Sequence, residues 1–279
     1  MFDLHSDLYQ IAFMQNDPNA MQQEVNWAKG GPSEFRMVAN QAQSSAFNGK
    51  MREARLLFRQ AIAMTQHAGL NEMVAGYKSW LAQIEALLGN RQQAREAADE
   101  AVRLARSSDA RAGATIALAF GREPQRVKIL TAEMKKEFPK DTFVNFVWVP
   151  TALAALEIQE GNGSRAIELL EAATPYQPSS VSLVAMYTRG LAYLETKSGR
   201  EATAQFQEIL NHRGVAGLSP LYSLSYLGLA RAQAIAGDAA EARKSYQSFL
   251  ASWRDADPDT PIFVQAKQEY AKFAAANAR

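Results

Sequence analysis

The chain has 279 residues, of which 47% are apolar and 21% charged, a balance typical of a folded globular protein and not of a disordered or membrane one. Its 30 Lys and Arg residues nearly equal its 29 Asp and Glu residues, so no overall basic field favours nucleic acid as a partner. The absence of cysteine excludes disulfides, thiolate metal sites and a cysteine nucleophile.

The predicted elements are short helices joined by tight turns. Ala, Gln, Glu, Leu and Arg fill segments of roughly 12 to 20 residues, and Gly, Asn, Asp or Pro separate these segments. The longest mostly apolar run, Phe146 to Leu156, is shorter than the ~20 residues that a membrane-spanning helix needs. The N-terminus has an acidic residue, Asp3, and no basic start before an apolar run, so we expect neither a signal peptide nor a membrane span.

The first predicted hairpin turns near Asn16 and carries a buried stripe of Met21, Val25 and Ala28 in its second helix. Its first helix has apolar residues that no preceding hairpin covers: Leu4, Leu8, Ile11 and Phe13. An open apolar end of this kind indicates that further repeats precede it.

A turn residue followed five positions later by alanine then recurs along the chain. The copies are Gly49–Ala54, Gly89–Ala94, Gly161–Ala166, Lys197–Ala202 and Gly237–Ala242. The residues four positions after each alanine are Phe58, Ala98, Leu170, Phe206 and Tyr246, and those seven positions after it are Ala61, Ala101, Ala173, Ile209 and Phe249. Positions 0, +4 and +7 share one helix face, so the pattern predicts one buried stripe on the second helix of each hairpin.

A small residue stands twelve positions before each of these alanines: Ala42, Ala82, Ala154, Gly190 and Ala230. Small residues there allow the two helices of a hairpin to pack closely. A degenerate copy runs from Gly121 to Phe138, with Arg126 or Val127 in place of the alanine.

The last predicted helix, residues 261–275, would cap the stack with an inner face of Phe263, Ala266, Tyr270 and Phe273. Together the copies predict an all-α fold: a right-handed α-solenoid of about seven helix hairpins, in a single domain of residues 1–279.

This pattern resembles the tetratricopeptide repeat (TPR), in which a small residue of helix A precedes a Gly-x4-Ala-x3-aromatic-x2-Ala element. The helix A pairs Leu81-Ala82, Leu153-Ala154 and Leu229-Ala230 match, as does Gly190 with Tyr193. Four longer segments resemble the C-terminal TPR regions of bacterial serine/threonine kinases of eukaryotic type: Arg189–Leu194, Ile209–Gly214, Trp253–Pro261 and Gln265–Phe273.

Similar arrays also follow winged-helix regulatory domains, and the resemblance implies a role in bacterial signalling. The sequence contains nothing of the catalytic or DNA-binding domain that comes first in those relatives. We expect a cytoplasmic location for the chain as it stands, and an extracytoplasmic one if it belongs to a membrane-anchored kinase.

No combination of residues predicts catalysis. The nearest match to a kinase catalytic loop, His212-Arg213-Gly214, lacks the catalytic Asp. The segment Gly161–Ala166 fits G-x-G-x-x-A, but it follows a predicted helix and not a strand, so it does not indicate a dinucleotide site. The three histidines, His5, His67 and His212, lie in different hairpins and lack metal-ligand spacing. We expect no enzymatic activity, no cofactor and no metal.

The first helices of stacked hairpins line the concave side of a solenoid. Counting eleven and fifteen residues back from the anchor alanines, with Trp148 added by its register, selects the candidate binding residues: Gln43, Ser79, Gln83, Trp148, Thr151, Tyr187 and Arg231. A lining of amide, hydroxyl, aromatic and aliphatic groups suits an extended peptide or a partner helix.

Two functions remain open at this point. The first is a protein-interaction scaffold or adaptor that binds a protein or peptide and no nucleic acid. The alternative is a ligand-sensing regulatory domain detached from a serine/threonine kinase or a winged-helix transcriptional regulator. The oligomeric state is open as well.

Overall fold

The computed structural model describes residues 2–276, which contain sixteen α-helices and no β-strand. The helices are α1 Phe2–Met14, α2 Pro18–Ala28, α3 Glu34–Phe47, α4 Met51–His67, α5 Asn71–Leu87, α6 Arg91–Leu104, α7 Ser108–Phe120, α8 Pro124–Glu137, α9 Val149–Gln159, α10 Gly163–Leu170, α11 Leu183–Glu195, α12 Gly199–Asn211, α13 Arg213–Ala216, α14 Pro220–Ala236, α15 Ala239–Ser252 and α16 Pro261–Ala276. A π-helical turn, Val144–Trp148, precedes α9, and 3-10 turns span Glu171–Tyr176 and Ser180–Ser182. Residues 1 and 277–279, the two ends of the predicted domain, lie outside the described residues.

Successive helices pair into hairpins: α1 with α2, α3 with α4, α5 with α6, α7 with α8, α9 with α10, α11 with α12, and α14 with α15. The short α13 joins the sixth pair to the seventh, and α16 follows the last pair from the predicted Pro261 onwards. The predicted all-α solenoid is therefore confirmed. Within the described residues, no helix combines the length and the apolar character that crossing a bilayer requires.

Each hairpin turns at a residue with left-handed backbone. Five of these residues are the predicted turn positions, and the seven φ values range from 54° to 89°: Asn16, Gly49, Gly89, Arg122, Gly161, Lys197 and Gly237. Four of these seven residues are glycine, which adopts this conformation easily because it has no Cβ atom. In the fourth hairpin the left-handed residue is Arg122, so the five-residue offset selects Val127, which is fully buried, over Arg126.

The stripes that the repeat predicts form the core. Each anchor alanine, with its partners at +4 and +7, is at most 4% exposed. The four small alanines of the first helices are fully buried: Ala42, Ala82, Ala154 and Ala230. Gly190, the fifth small residue, is buried as well.

The ring of Phe206 shows why the small residues are needed. A Cβ atom added at Gly190 would lie 2.6–3.0 Å from three atoms of this ring, and one added at Gly228 would lie 2.5–2.7 Å from it. The ring of α12 thus packs directly on the backbones of α11 and α14, which a larger residue at either position would push away.

We expect Gly190→Ala to lower the free energy of unfolding by about 1–3 kcal/mol, because the added methyl group overpacks a closed interface. Gly76 of α5 provides a matched control, since nothing lies within 4 Å of a Cβ added there. Gly76→Ala should raise the free energy of unfolding by about 0.4–1 kcal/mol by restricting the unfolded chain. Urea unfolding followed by circular dichroism measures both values. Equal values for the two variants would contradict the close packing at Gly190.

The solenoid winds far enough for its C-terminal part to contact its second and third hairpins. Carbonyl groups of these two hairpins accept four hydrogen bonds from it: from Trp253 Nε1 to Phe47 at 3.0 Å, from Ser223 Oγ to Phe47 at 3.0 Å, from the Asp257 amide to Gly49 at 3.1 Å, and from the Ile262 amide to Leu88 at 3.2 Å. Arg52 of α4 donates two more, to the carboxylates of Asp257 at 2.7 Å and Asp259 at 2.9 Å. One buried cluster consequently includes side chains of α3, α4 and α5 together with side chains of α11 to α16. The repeat pattern contains no sign of this contact between the two parts of the chain.

Candidate functional site

The concave side of the solenoid holds a groove of about 610 Å³. Its floor comes from the first helices of the second, third and fourth hairpins, α3, α5 and α7. Residues of α1, Trp148, residues 180–184 and residues 215–221 complete the lining. The groove therefore exists because the C-terminal part of the chain returns to face the N-terminal hairpins.

Four of the predicted binding residues line this groove: Gln43, Ser79, Gln83 and Trp148. Gln43 is half-buried, whereas Ser79 is only 1% exposed. A Cβ atom at Gly113 of α7 would collide with the side chains of Ser79 and Gln83, so these two side chains lie directly against α7. Ser79 and Gln83 thus join α5 to α7 as well as lining the groove.

The other three predicted residues do not line the groove. Thr151 is fully buried, and its hydroxyl donates to the Val147 carbonyl at 2.6 Å. The acceptor, Val147, belongs to the π-helical turn before α9, whereas Thr151 lies near the start of α9. Helix α9 packs against α7, α8, α10 and α11, so the counted position is enclosed by other helices.

Tyr187 and Arg231 are engaged in packing instead. Tyr187 is 5% exposed and meets the ring of Phe206 edge-on at 5.5 Å, and burial raises the pKa of Tyr187 to about 12. Arg231 donates two hydrogen bonds, of 2.8 and 3.0 Å, to the carboxylate of Glu269 on α16. The side chain of Arg231, which the repeat register assigned to the groove, is therefore bound to the terminal helix α16 instead.

The most exposed aromatic side chain in the groove was not selected by the register count. Trp80 is 43% exposed and lies 5.6 Å from the ring of Tyr77. It immediately follows Ser79, one step from the counted position. The available signal was an aromatic residue beside a predicted lining residue, since a large apolar side chain left exposed in a concavity is typical of a binding surface.

Helix α1 was also missed as part of the lining. Asn40 of α3 donates to Ser6 at 2.8 Å, and Arg36 lies 4.1 Å over the ring of Phe2 while pairing with Asp3 at 2.8 Å. Of the four residues predicted to leave apolar surface exposed on α1, Leu4, Leu8 and Ile11 are 40–60% exposed. Phe13 is half-buried instead, and its ring packs edge-on against Phe47 at 5.0 Å.

The groove is close to electrically neutral. Its charged lining residues are Arg36, which pairs with Asp3, and Asp109. The remaining polar groups are amides and hydroxyls, and burial raises the pKa of Tyr77 to about 12, so this hydroxyl keeps its proton. Among the described residues no group of three or more His, Asp or Glu side chains could hold a metal ion. The arrangement can donate and accept hydrogen bonds and stack on apolar groups.

Several solved structures resemble the chain, and they include the following two. One is the crystal structure of yeast Tom70, with 17% identity and a TM-score of 0.50; the match covers 98% of this chain and 54% of that one, so this chain spans about half its length. The other is the TPR2AB domain of yeast Sti1 in its complex with pHSP90, with 14% identity, a TM-score of 0.36 and 98% of each chain covered. No protein-family model and no curated protein matches the sequence.

At these identities the likeness shows the fold alone. It agrees with the TPR-like hairpins that the turn residues and buried stripes define in this chain. The resemblance to the repeat regions of bacterial kinases stays a prediction.

Proposed function

We propose that this protein is an interaction module that holds a peptide segment of a partner protein in the concave groove. The observation that carries the proposal is Trp80, 43% exposed in a concave groove of about 610 Å³ whose polar groups are mostly uncharged amides and hydroxyls. A few residues supply most of the binding free energy in protein interfaces, and tryptophan is enriched among them.

The chemistry of the lining indicates the kind of peptide. Side-chain amides such as Gln43 match the N–H and C=O groups of an extended backbone, and the rings of Trp80 and Trp148 offer contact to apolar side chains. With Arg36 already paired to Asp3, the groove has little net charge to attract a highly charged ligand. We therefore propose a segment of low net charge that carries apolar side chains.

We also propose that the module works in bacterial signalling and catalyses no reaction itself. This part of the proposal rests on the sequence resemblance of segments such as Trp253–Pro261 to kinase-associated repeat arrays. A regulatory domain that senses a small ligand is the second candidate, and the observation that favours it is a separate cavity lined by Lys50, Arg213 and Arg254.

Gly76→Trp should abolish peptide binding while the fold is kept. Gly76 lines the groove, and nothing lies within 4 Å of a Cβ added there, so the new ring would fill space that a peptide would occupy. Trp80→Ala should weaken binding about tenfold or more by removing the most exposed aromatic contact. The measurement is fluorescence polarisation with peptides selected on the wild type from a random displayed library.

Trp27→Ala is the matched control, because Trp27 is 42% exposed and lies outside the groove. Its affinity for the selected peptides should equal that of the wild type. Undiminished binding by Gly76→Trp, or the failure of any peptide to be enriched, would contradict the proposal.

A further inference from the structure

A second cavity, of about 390 Å³, lies where the two parts of the chain meet. It is lined by the end of α1, the turn between α3 and α4, Arg213, Tyr222 and the end of α15. It shares no lining residue with the concave groove. Its volume is within the range of small-molecule sites, which runs from about 300 to 1,000 Å³.

Positive charge prevails in this cavity. Lys50, Arg213 and Arg254 line it, with Asp255 as the one acidic lining residue. Arg254 lies 3.6 Å from Asp255, so this carboxylate has a partner. Among the described residues neither Lys50 nor Arg213 has a carboxylate within ion-pair distance. The lining also contains the amide side chains of Asn16 and Asn48.

Aromatic rings hold the guanidinium of Arg213 in place. Its central carbon lies 4.5 Å from the ring of Tyr222, 4.8 Å from that of Phe47 and 5.6 Å from that of Phe13. One of its N–H groups donates to the Gly217 carbonyl, and no other protein acceptor binds it among the described residues. Stacked rings leave the edge of a guanidinium, with its N–H donors, free to bind an anion.

A half-buried cation without a counterion is unfavourable, because burial removes water that would stabilise its charge. Burial lowers the pKa of Arg213 for this reason. An anion entering the cavity would supply the missing counterion and would accept the free N–H donors.

We propose that the cavity binds a small phosphorylated ligand, with the phosphoryl group held by Lys50, Arg213 and Arg254. A phosphoryl group suits this site better than a single carboxylate, because its three oxygens and charge of about −2 match three cations from three segments. Either inorganic phosphate or a small phosphomonoester provides this chemistry.

The position of the cavity gives binding a structural consequence. Lys50 follows α3, whereas Arg213 and Arg254 belong to the C-terminal part of the chain, so a bound phosphoryl group bridges the two parts. Such a ligand stabilises the closed solenoid over any form in which the two parts separate. The inference is independent of the proposed peptide groove.

The test is binding of inorganic phosphate, pyrophosphate and glycerol 3-phosphate, measured by calorimetry and thermal unfolding at constant ionic strength. We expect the wild type to bind at least one probe saturably, with one site and a rise in melting temperature. Lys50→Ala combined with Arg254→Ala should weaken binding at least about tenfold. Arg254 is 82% exposed and Lys50 half-buried, so this variant should fold.

The matched control is Arg59→Ala combined with Arg103→Ala, which removes two exposed cations outside the cavity and should leave the affinity unchanged. Tighter binding of glycerol 3-phosphate than of phosphate would identify a phosphomonoester site, and equal binding a site for free phosphate. No saturable binding of any probe, or an equal loss in the control, would overturn the inference. The Trp80→Ala variant should bind the phosphate probes as tightly as the wild type does. A failure of the groove proposal can therefore be told apart from a failure of the phosphate site.

Discussion

Trp253→Ala should lower the free energy of unfolding by about 3–5 kcal/mol, the range measured for large aromatic residues removed from cores. The Trp253 side chain is fully buried, and its ring lies 5.0 Å from that of Phe249 and 5.9 Å from that of Phe263. A Cβ atom added at Gly49 would lie 2.8–2.9 Å from two of its ring atoms, so the ring also packs on the turn of the second hairpin. Alanine would leave a cavity between the two parts of the chain.

The contribution of the Trp253 indole N–H to stability can be measured separately from that of the ring volume. The indole N–H donates to the Phe47 carbonyl at 3.0 Å. The hydroxyl of Ser223 donates to the same carbonyl at 3.0 Å. Trp253→Phe should therefore cost less than the alanine change, about 1 kcal/mol for the lost hydrogen bond plus a smaller packing defect, since the carbonyl keeps one donor.

Urea unfolding of the three proteins provides the measurement, with Trp27→Ala as control because Trp27 is 42% exposed. The control should change the free energy of unfolding by less than about 1 kcal/mol. If Trp253→Ala were no more harmful than this control, the contact between the C-terminal part and the second hairpin would not stabilise the fold.

Arg55→Met should lower the free energy of unfolding by about 3–5 kcal/mol, the second large effect that we expect. The side chain of Glu85 is 1% exposed and accepts hydrogen bonds of 2.6 and 2.9 Å from Arg55 and of 2.7 Å from Asn90. The hydrogen bond to Glu85 raises the pKa of Arg55. Without Arg55, the carboxylate of Glu85 stays buried between α4 and α5 with no cation to offset its charge.

A double-mutant cycle tests this reasoning. Arg55→Met combined with Glu85→Leu removes both charges and should recover most of the loss, because an apolar pair of similar volume substitutes well for a buried ion pair. Chemical denaturation of the wild type, the two single variants and the double variant gives the coupling free energy. Additive losses in the double variant would mean that the ion pair does not contribute as proposed.

The local sequence was sufficient to predict the hairpins. A turn residue such as Gly89, the anchor alanine five positions later and the small residue twelve positions before it all act within one hairpin. Each of these positions is governed by a short-range requirement: a left-handed turn, a buried helix face or a close helix contact. The fold and the buried stripes of the five regular copies followed for this reason. In the degenerate copy the sequence left Arg126 and Val127 open, and the left-handed backbone of Arg122 in the structure selects Val127.

The candidate site was predicted in part. Gln43, Ser79 and Gln83 line the groove because the hairpins that carry them are regular enough for a register count, and Trp148 lines it from the π-helical turn before α9. Thr151 is fully buried because α9 packs against α7, α8, α10 and α11, and the repeat count does not describe these contacts. Arg231 is paired to Glu269 of α16, a partner 38 positions away, and this pairing depends on where the last helix packs.

Only the tertiary structure decided how the chain closes. The bond from Trp253 to Phe47 joins residues 206 positions apart, and it forms because small rotations from one hairpin to the next add up along the solenoid. Each rotation depends on the packing of many side chains at once, and no residue pattern within a hairpin specifies their sum. The groove beside Trp80 and the cationic cavity beside Arg213 both arise from this closure, so neither could be read from the repeat.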